Sequence, residues 1–143
     1  MNPVLLDTGF IVALLDRSER HHKGCTAAIA EIDAPLLTCE AVLAEACYLL
    51  RGIKNAPDAV LKNVENGTFL VSYRVAGKTA ALRRLLKKYA DVPMDFADAC
   101  LVDMADEYQT GRILTLDRDF HIYRWGKNHP FDLVVKPGYE NAP

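Results

Sequence analysis

An α/β fold with a mostly parallel sheet is predicted by two features of the chain. Short apolar runs that stop abruptly alternate with stretches of helical periodicity. The 143 residues also suffice for one compact domain with a real core but not comfortably for two. Hydrophobic residues make up 50% and charged residues 25%, as in ordinary globular proteins. A formal net charge of −2 rules out a general electrostatic affinity for polyanions, so any contact with nucleic acid needs a local patch or bound cations. No apolar run approaches membrane-spanning length, and no basic segment precedes an apolar stretch at the start. A cytoplasmic protein without a membrane partner is therefore expected. Cys25, Cys39, Cys47 and Cys100 show neither a C-x-x-C pair nor a Cys/His zinc spacing, and read as buried, reduced thiols.

The elements follow in order. Pro3 to Leu6 is an apolar run that ends at Asp7-Thr8-Gly9, a buried strand turning into a helix. A short apolar helix runs from Phe10 to Leu15, a polar break covers 16–20, and a second helix spans about 19–32. Leu36-Leu37-Thr38 after Pro35 reads as the second strand. The next helix, about 39–51 and stopped by Gly52, is so apolar that it leaves little surface. Asn55 to Asp58 opens another helix that ends near Asn66-Gly67, and 68–73 is rich in β-formers. A helix over about 76–90 carries Leu82, Leu85, Leu86 and Tyr89 on one side. Its basic face of Arg83, Arg84, Lys87 and Lys88 is more economically a solvated surface than a nucleic-acid contact.

A helix opens after Pro93, with Asp95 as N-cap and Ala97, Leu101, Met104, Ala105 and Tyr108 on one face. Asp103, Asp106 and Glu107 are expected on the solvated side. Gly111 is placed to cap it, and 112–116 forms a strand ending at Asp117. A loop with His121, Tyr123, Arg124, Trp125, Lys127 and His129 leads to a last strand over 131–135. One domain over residues 1–136 and a tail over 137–143 are expected.

Four acids resist a purely local explanation. Asp98 falls at the edge of an apolar stripe in the first turn of its helix, where the bland alternative is a carboxylate stabilised by the helix dipole. Glu45 has only Ala41, Val42, Tyr48 and Leu49 as helical neighbours, so it needs a distant Arg, a narrow exposed strip or a cation. Asp7 and Asp117 follow directly after apolar strands. Each suits a cap or turn, yet both fall at the carboxyl edge of a parallel sheet, where open α/β folds place their ligand crevice. If the four converge, their mutual repulsion calls for a hard divalent ion, and Mg²⁺ or Mn²⁺ suits an all-oxygen shell that retains water. Arg118, Arg124 and Lys127, near the Asp117 loop, are candidate phosphate contacts, and Trp125 or Tyr123 a candidate stacking surface for a base. The four histidines are not grouped with the acids, and His21 and His22 read as helix-surface residues.

The ordered set Val4-Leu5-Leu6-Asp7-Thr8, Val42-Leu43-Ala44-Glu45, Phe96-Ala97-Asp98-Ala99 and Leu114-Thr115-Leu116-Asp117-Arg118-Asp119-Phe120 resembles the PIN-domain family over nearly the whole chain. In size the chain is similar to the VapC-like toxin ribonucleases of bacterial toxin–antitoxin pairs. The resemblance implies a three-layer sandwich, a five-stranded parallel sheet between helices, and Mg²⁺- or Mn²⁺-dependent cleavage of RNA, single-stranded or of tRNA or rRNA type. By motif position Asp7, Glu45, Asp98 and Asp117 would be the catalytic, metal-binding acids, supported by Thr8 and Thr115, with Asp119 in an outer shell. Asp95 is better explained as the cap, and Glu40 by a first-turn dipole role. The family also implies an antitoxin partner and a homodimer. Competing readings are a DNA- or structure-specific nuclease, a processing ribonuclease that is no toxin, and a non-catalytic PIN-like binding module. A phosphatase with an aspartyl nucleophile ranks lower, since no second Asp follows Asp7 by two residues. A dinucleotide enzyme ranks lowest, since no G-x-G-x-x-G follows the first strand.

Overall fold

The computed structural model describes residues 2–134. The expected end of the last strand at Val135 and the tail over 137–143 lie outside the described residues. Five strands form one sheet, β1 (Val4–Leu6), β2 (Leu36–Leu37), β3 (Phe69–Leu70), β4 (Arg112–Leu114) and β7 (Asp132–Leu133). Their order is β3-β2-β1-β4-β7, and every pairing in it is parallel. Six helices flank the sheet: α1 (Thr8–Leu15), α2 (His22–Ala30), α3 (Glu40–Leu49), α4 (Ala56–Glu65), α5 (Thr79–Lys88) and α6 (Phe96–Tyr108). The expected three-layer α/β sandwich is thus found, and the sheet is wholly rather than mostly parallel.

β1 lies at the centre with Val4, Leu5 and Leu6 fully buried, as a strand covered on both faces must be. The register pairs Leu5 with Leu37 on one side and with Ile113 on the other. The ladder continues past the strand ends through Asp7 N–H donating to the Leu114 carbonyl (3.1 Å) and Thr38 N–H to that of Leu70 (3.0 Å). The Thr38 hydroxyl, itself buried, donates to the Leu6 carbonyl at 2.9 Å. These bonds fix the backbone at the sheet's carboxyl edge, where Asp7 leaves β1. α6 packs against β1, α3 and α5, and α3 also touches α1 and α4, so both acid-bearing helices are anchored in the core.

Several expectations are corrected. α2 begins at His22 rather than Glu19, because Glu19 closes a turn onto Asp16 and its carboxylate accepts the His21 N–H at 2.6 Å. α3 stops at Leu49, before Gly52, and α5 starts at Thr79 after a turn in which Gly77 takes φ +87°. Only Phe69–Leu70 of the expected third strand joins the ladder. α6 ends not at Gly111 but at Gln109, which adopts the left-handed conformation at φ 52°. The segment read as a loop holds a short 3-10 turn (Arg118–His121) and an antiparallel hairpin of β5 (Arg124–Trp125) and β6 (His129–Pro130). Gly126 and Asn128, both at positive φ, supply its turn. α3 leaves more surface than expected, since Tyr48 and Leu49 are 62% and 56% exposed. Asp103 is buried rather than solvated, accepting from the Tyr73 hydroxyl at 2.7 Å and pairing with Lys78 at 3.8 Å. All four cysteines are unpaired, three of them buried and Cys47 half-buried. Among the described residues no helix is long and apolar enough to cross a membrane.

Candidate active site

Asp7, Glu45, Asp98 and Asp117 come together on one open cleft of about 330 Å³ at the carboxyl edge of the sheet, which Thr8, Gly9, Leu49, Asp95 and Leu116 complete. Among the described residues no lysine, arginine or histidine lines it. Each acid arrives by a different device. Asp7 caps α1 as β1 ends, with one carboxylate oxygen accepting the Thr8 N–H at 2.7 Å and the other the Thr115 hydroxyl at 2.6 Å. Thr115 in turn accepts the Asp117 N–H at 3.0 Å, so one hydroxyl fixes the relation between the β1 and β4 acids. The Asp117 carboxylate accepts the Asp119 N–H at 2.9 Å, which starts the 3-10 turn. Glu45 projects from the middle of α3, and the Thr8 hydroxyl donates to it at 3.4 Å.

Asp98 sits in the first turn of α6 inside a capping box. Asp95 accepts the Asp98 N–H at 2.8 Å, and the Asp98 carboxylate accepts the Asp95 N–H at 3.3 Å. The Tyr123 hydroxyl donates to the same Asp98 oxygen at 3.1 Å. Asp95 is therefore the cap that the sequence suggests, and it is more than that, because its carboxylate also borders the cleft. Tyr123 has a different role from the expected one. Fully buried and packed edge-on against Tyr89 and Phe120, it cannot stack on a base and instead orients Asp98.

Electrostatics reflect this crowding. Burial pushes Asp7 up to about 6, against the bonds from Thr115 and Thr8, and the charges of Asp117 and Asp95 add to the rise. Burial likewise carries Asp98 to about 7, helped by Asp95 and Asp7. Glu45 is raised by burial and by Asp95, and Asp117 by burial, Asp119 and Asp95. Carboxylates crowded together without a cation give up their protons at higher pH than isolated ones do. Among the described residues no three His, Cys, Asp or Glu side chains are drawn together into a coordinating group. The donor set nevertheless fits a hard divalent cation: it is all oxygen, anionic, partly dehydrated and free of competing basic side chains.

The other candidates stand farther off. Arg118, Arg124 and Lys127 do not line the cleft. The Arg124 guanidinium donates to the carbonyls of His121 and Tyr123 at 2.8 and 2.9 Å, and so braces its own loop. Trp125 is half-buried and donates to the Pro130 carbonyl. Asp95 as a fifth cleft acid and Tyr123 as a positioning hydroxyl are what sequence reasoning missed. The first was legible as an acid three residues before Asp98. The second, 25 residues away in sequence, carried no local signal.

A wholly parallel α/β domain with a carboxylate-lined cleft at its strand ends defines a class of acidic-site domain, and comparison narrows it. The sequence matches the PIN domain family over residues 4–126. It is 32% identical over 117 residues to Ribonuclease VapC26 of Mycobacterium tuberculosis (strain ATCC 25618 / H37Rv), covering 80% of this chain and 87% of that protein. The fold is shared with the crystal structure of Mycobacterium tuberculosis VapC20, described as a Sarcin-Ricin loop cleaving toxin. The TM-score is 0.78 at 19% identity, over 89% of this chain and 99% of that one. The chain belongs to the PIN-domain family, and within it is similar to the VapC-like proteins.

Proposed function

We propose that the protein is a divalent-metal-dependent endoribonuclease, the toxin of a toxin–antitoxin pair, that hydrolyses phosphodiester bonds in single-stranded RNA or in RNA of the tRNA or rRNA type. One observation carries the reading: Asp7, Glu45, Asp98 and Asp117 meet on a cleft that no basic side chain among the described residues lines. The kinship with a protein named a ribonuclease supports RNA as the substrate class, and the fold shared with a toxin is in keeping with the toxin role.

Asp7, Glu45, Asp98 and Asp117 would hold the ion, Mg²⁺ or Mn²⁺. When bound, such an ion supplies Lewis acidity toward the phosphodiester and a lowered pKa for water. The chain's own contribution is orientation. Thr115 holds Asp7 and the Asp117 backbone in one frame. Tyr123 and the Asp95 N–H both donate to one oxygen of the Asp98 carboxylate and so orient it, and Thr8 steadies Glu45. Asp119 acts at one remove, through its N–H on Asp117. With no Lys, His, Ser or Cys among the described residues lining the cleft, a covalent enzyme intermediate would have to form on an acid or on the Thr8 hydroxyl, and attack by water is the economical route. Arg118, Arg124 and Lys127 would meet the RNA outside the cleft. An antitoxin protein, a second copy of the chain and a cytoplasmic location complete the proposal.

The test is cleavage of a labelled panel of single-stranded RNA, single-stranded DNA and folded RNA with Mg²⁺, Mn²⁺ or EDTA, beside Asp7→Asn. RNA-only cutting, lost in EDTA and in the variant, is expected. Cutting that survives EDTA or Asp7→Asn overturns the metal role, and cutting of DNA alone overturns the substrate class.

A further inference from the structure

A second groove, of about 350 Å³, lies at the first turn of α6. Cys39, Glu40 and Ala41 at the start of α3, the segment 73–76 after β3, and Phe96 and Cys100 of α6 line it. Phe96 is the first residue of α6 and follows Asp95, which borders the acid cleft. Its ring is 48% exposed and stacks on no other described aromatic side chain. Arg74, exposed on the same groove, makes no hydrogen bond or ion pair with another described residue. Val75 on the same groove is also exposed, so the groove offers apolar surface and an unengaged guanidinium together.

We propose that this groove is a nucleotide subsite of the acid cleft, taking one unpaired RNA nucleotide that flanks the scissile bond. Phe96 is the platform on which its base stacks, and Arg74 the contact for its phosphate. The proposal rests on the ribonuclease reading and adds where the strand runs. Three observations favour single-stranded RNA as the occupant. Among the described residues no basic side chain lines the acid cleft, so contacts to the phosphates on either side of the one being cut come from its flanks. The groove and the cleft both draw on the start of α6, Phe96 lining the one and the preceding Asp95 the other. An aromatic face next to an arginine is the pairing that binds unpaired bases without demanding a sequence.

The experiment measures equilibrium binding of a short single-stranded RNA, carrying 2-aminopurine at successive positions, to the non-cleaving Asp7→Asn protein. Phe96→Ala is expected to weaken binding about ten-fold. It should also abolish the fluorescence quench at one position only, while Phe96→Trp retains both. Arg74→Ala is expected to weaken binding and to flatten its salt dependence by about 0.7 in slope, the loss of one phosphate contact. Unchanged affinity and an unchanged quench in Phe96→Ala overturn the subsite, as does a variant that binds RNA normally but loses a protein partner. The two readings fail separately. Groove binding by a wild-type protein that cuts no RNA sinks the ribonuclease, whereas normal cutting by Phe96→Ala with unaltered KM sinks the subsite.

Discussion

Thr115 holds two of the cleft's acids at once, donating to Asp7 and accepting from the Asp117 backbone. Thr115→Val keeps the shape and removes both bonds, leaving a buried carboxylate short of a donor. The expected cost is about 1–3 kcal/mol in stability and about 10–100-fold in metal affinity or activity, read by thermal melting and by Mn²⁺ titration. Asp98 is a sharper test because its two effects have opposite signs. Its carboxyl rises from 3.8 to about 7 on folding, so the unfolded chain ionises first as pH climbs, and the apo protein loses stability across that window. Asp98→Asn should therefore abolish metal-dependent cleavage yet raise the apo melting temperature by about 3 °C or more near neutral pH. The gain should shrink as pH falls below 7 and vanish only well below 3.8, where the carboxyl is protonated in the folded and the unfolded chain alike. An apo protein destabilised by the substitution at neutral pH would show that Asp98 is structural.

At the scale of elements, Gly111 shows how a sequence signal can be right about importance and wrong about cause. Read as a helix cap, it is required because a Cβ there would fall against the indole of Trp125, 2.8 Å from Cε2. Gly111→Ala is expected to displace the indole from the Pro130 carbonyl at a cost of about 1–3 kcal/mol. Red-shifted emission from the chain's single Trp would report it. An unchanged spectrum and melting point would show that the hairpin gives way freely. The alternation of apolar runs and helices was legible because burial on both faces leaves Val4 to Leu6 and Ile113-Leu114 no polar option. The capping box of α6 was legible for the same local reason, an acid at each end of a three-residue interval. The β5–β6 hairpin was not, since each of its strands is two residues long and its signal lies in the conformations of Gly126 and Asn128. Nor was the burial of Asp103, which depends on Tyr73 and Lys78 from outside its helix.

Across the whole molecule, the sheet delivers Asp7 and Asp117 from adjacent parallel strands, and α3 and α6 bring Glu45 and Asp98 to the same edge. The result is a fold that accumulates negative charge where its strands end, at a cost the apo protein bears and a cation would offset. The convergence could be argued from sequence for Asp7 and Asp117, since topology dictates it. For Glu45 it could not, because the reach of a mid-helix side chain depends on how α3 packs. Melting the wild type and Asp98→Asn at about pH 7.5, with and without saturating Mn²⁺, asks directly whether a divalent ion relieves that charge. The account predicts a clear rise in the wild-type melting temperature with Mn²⁺ and little or none in the variant. Equal response in both proteins, or none in either, would contradict it.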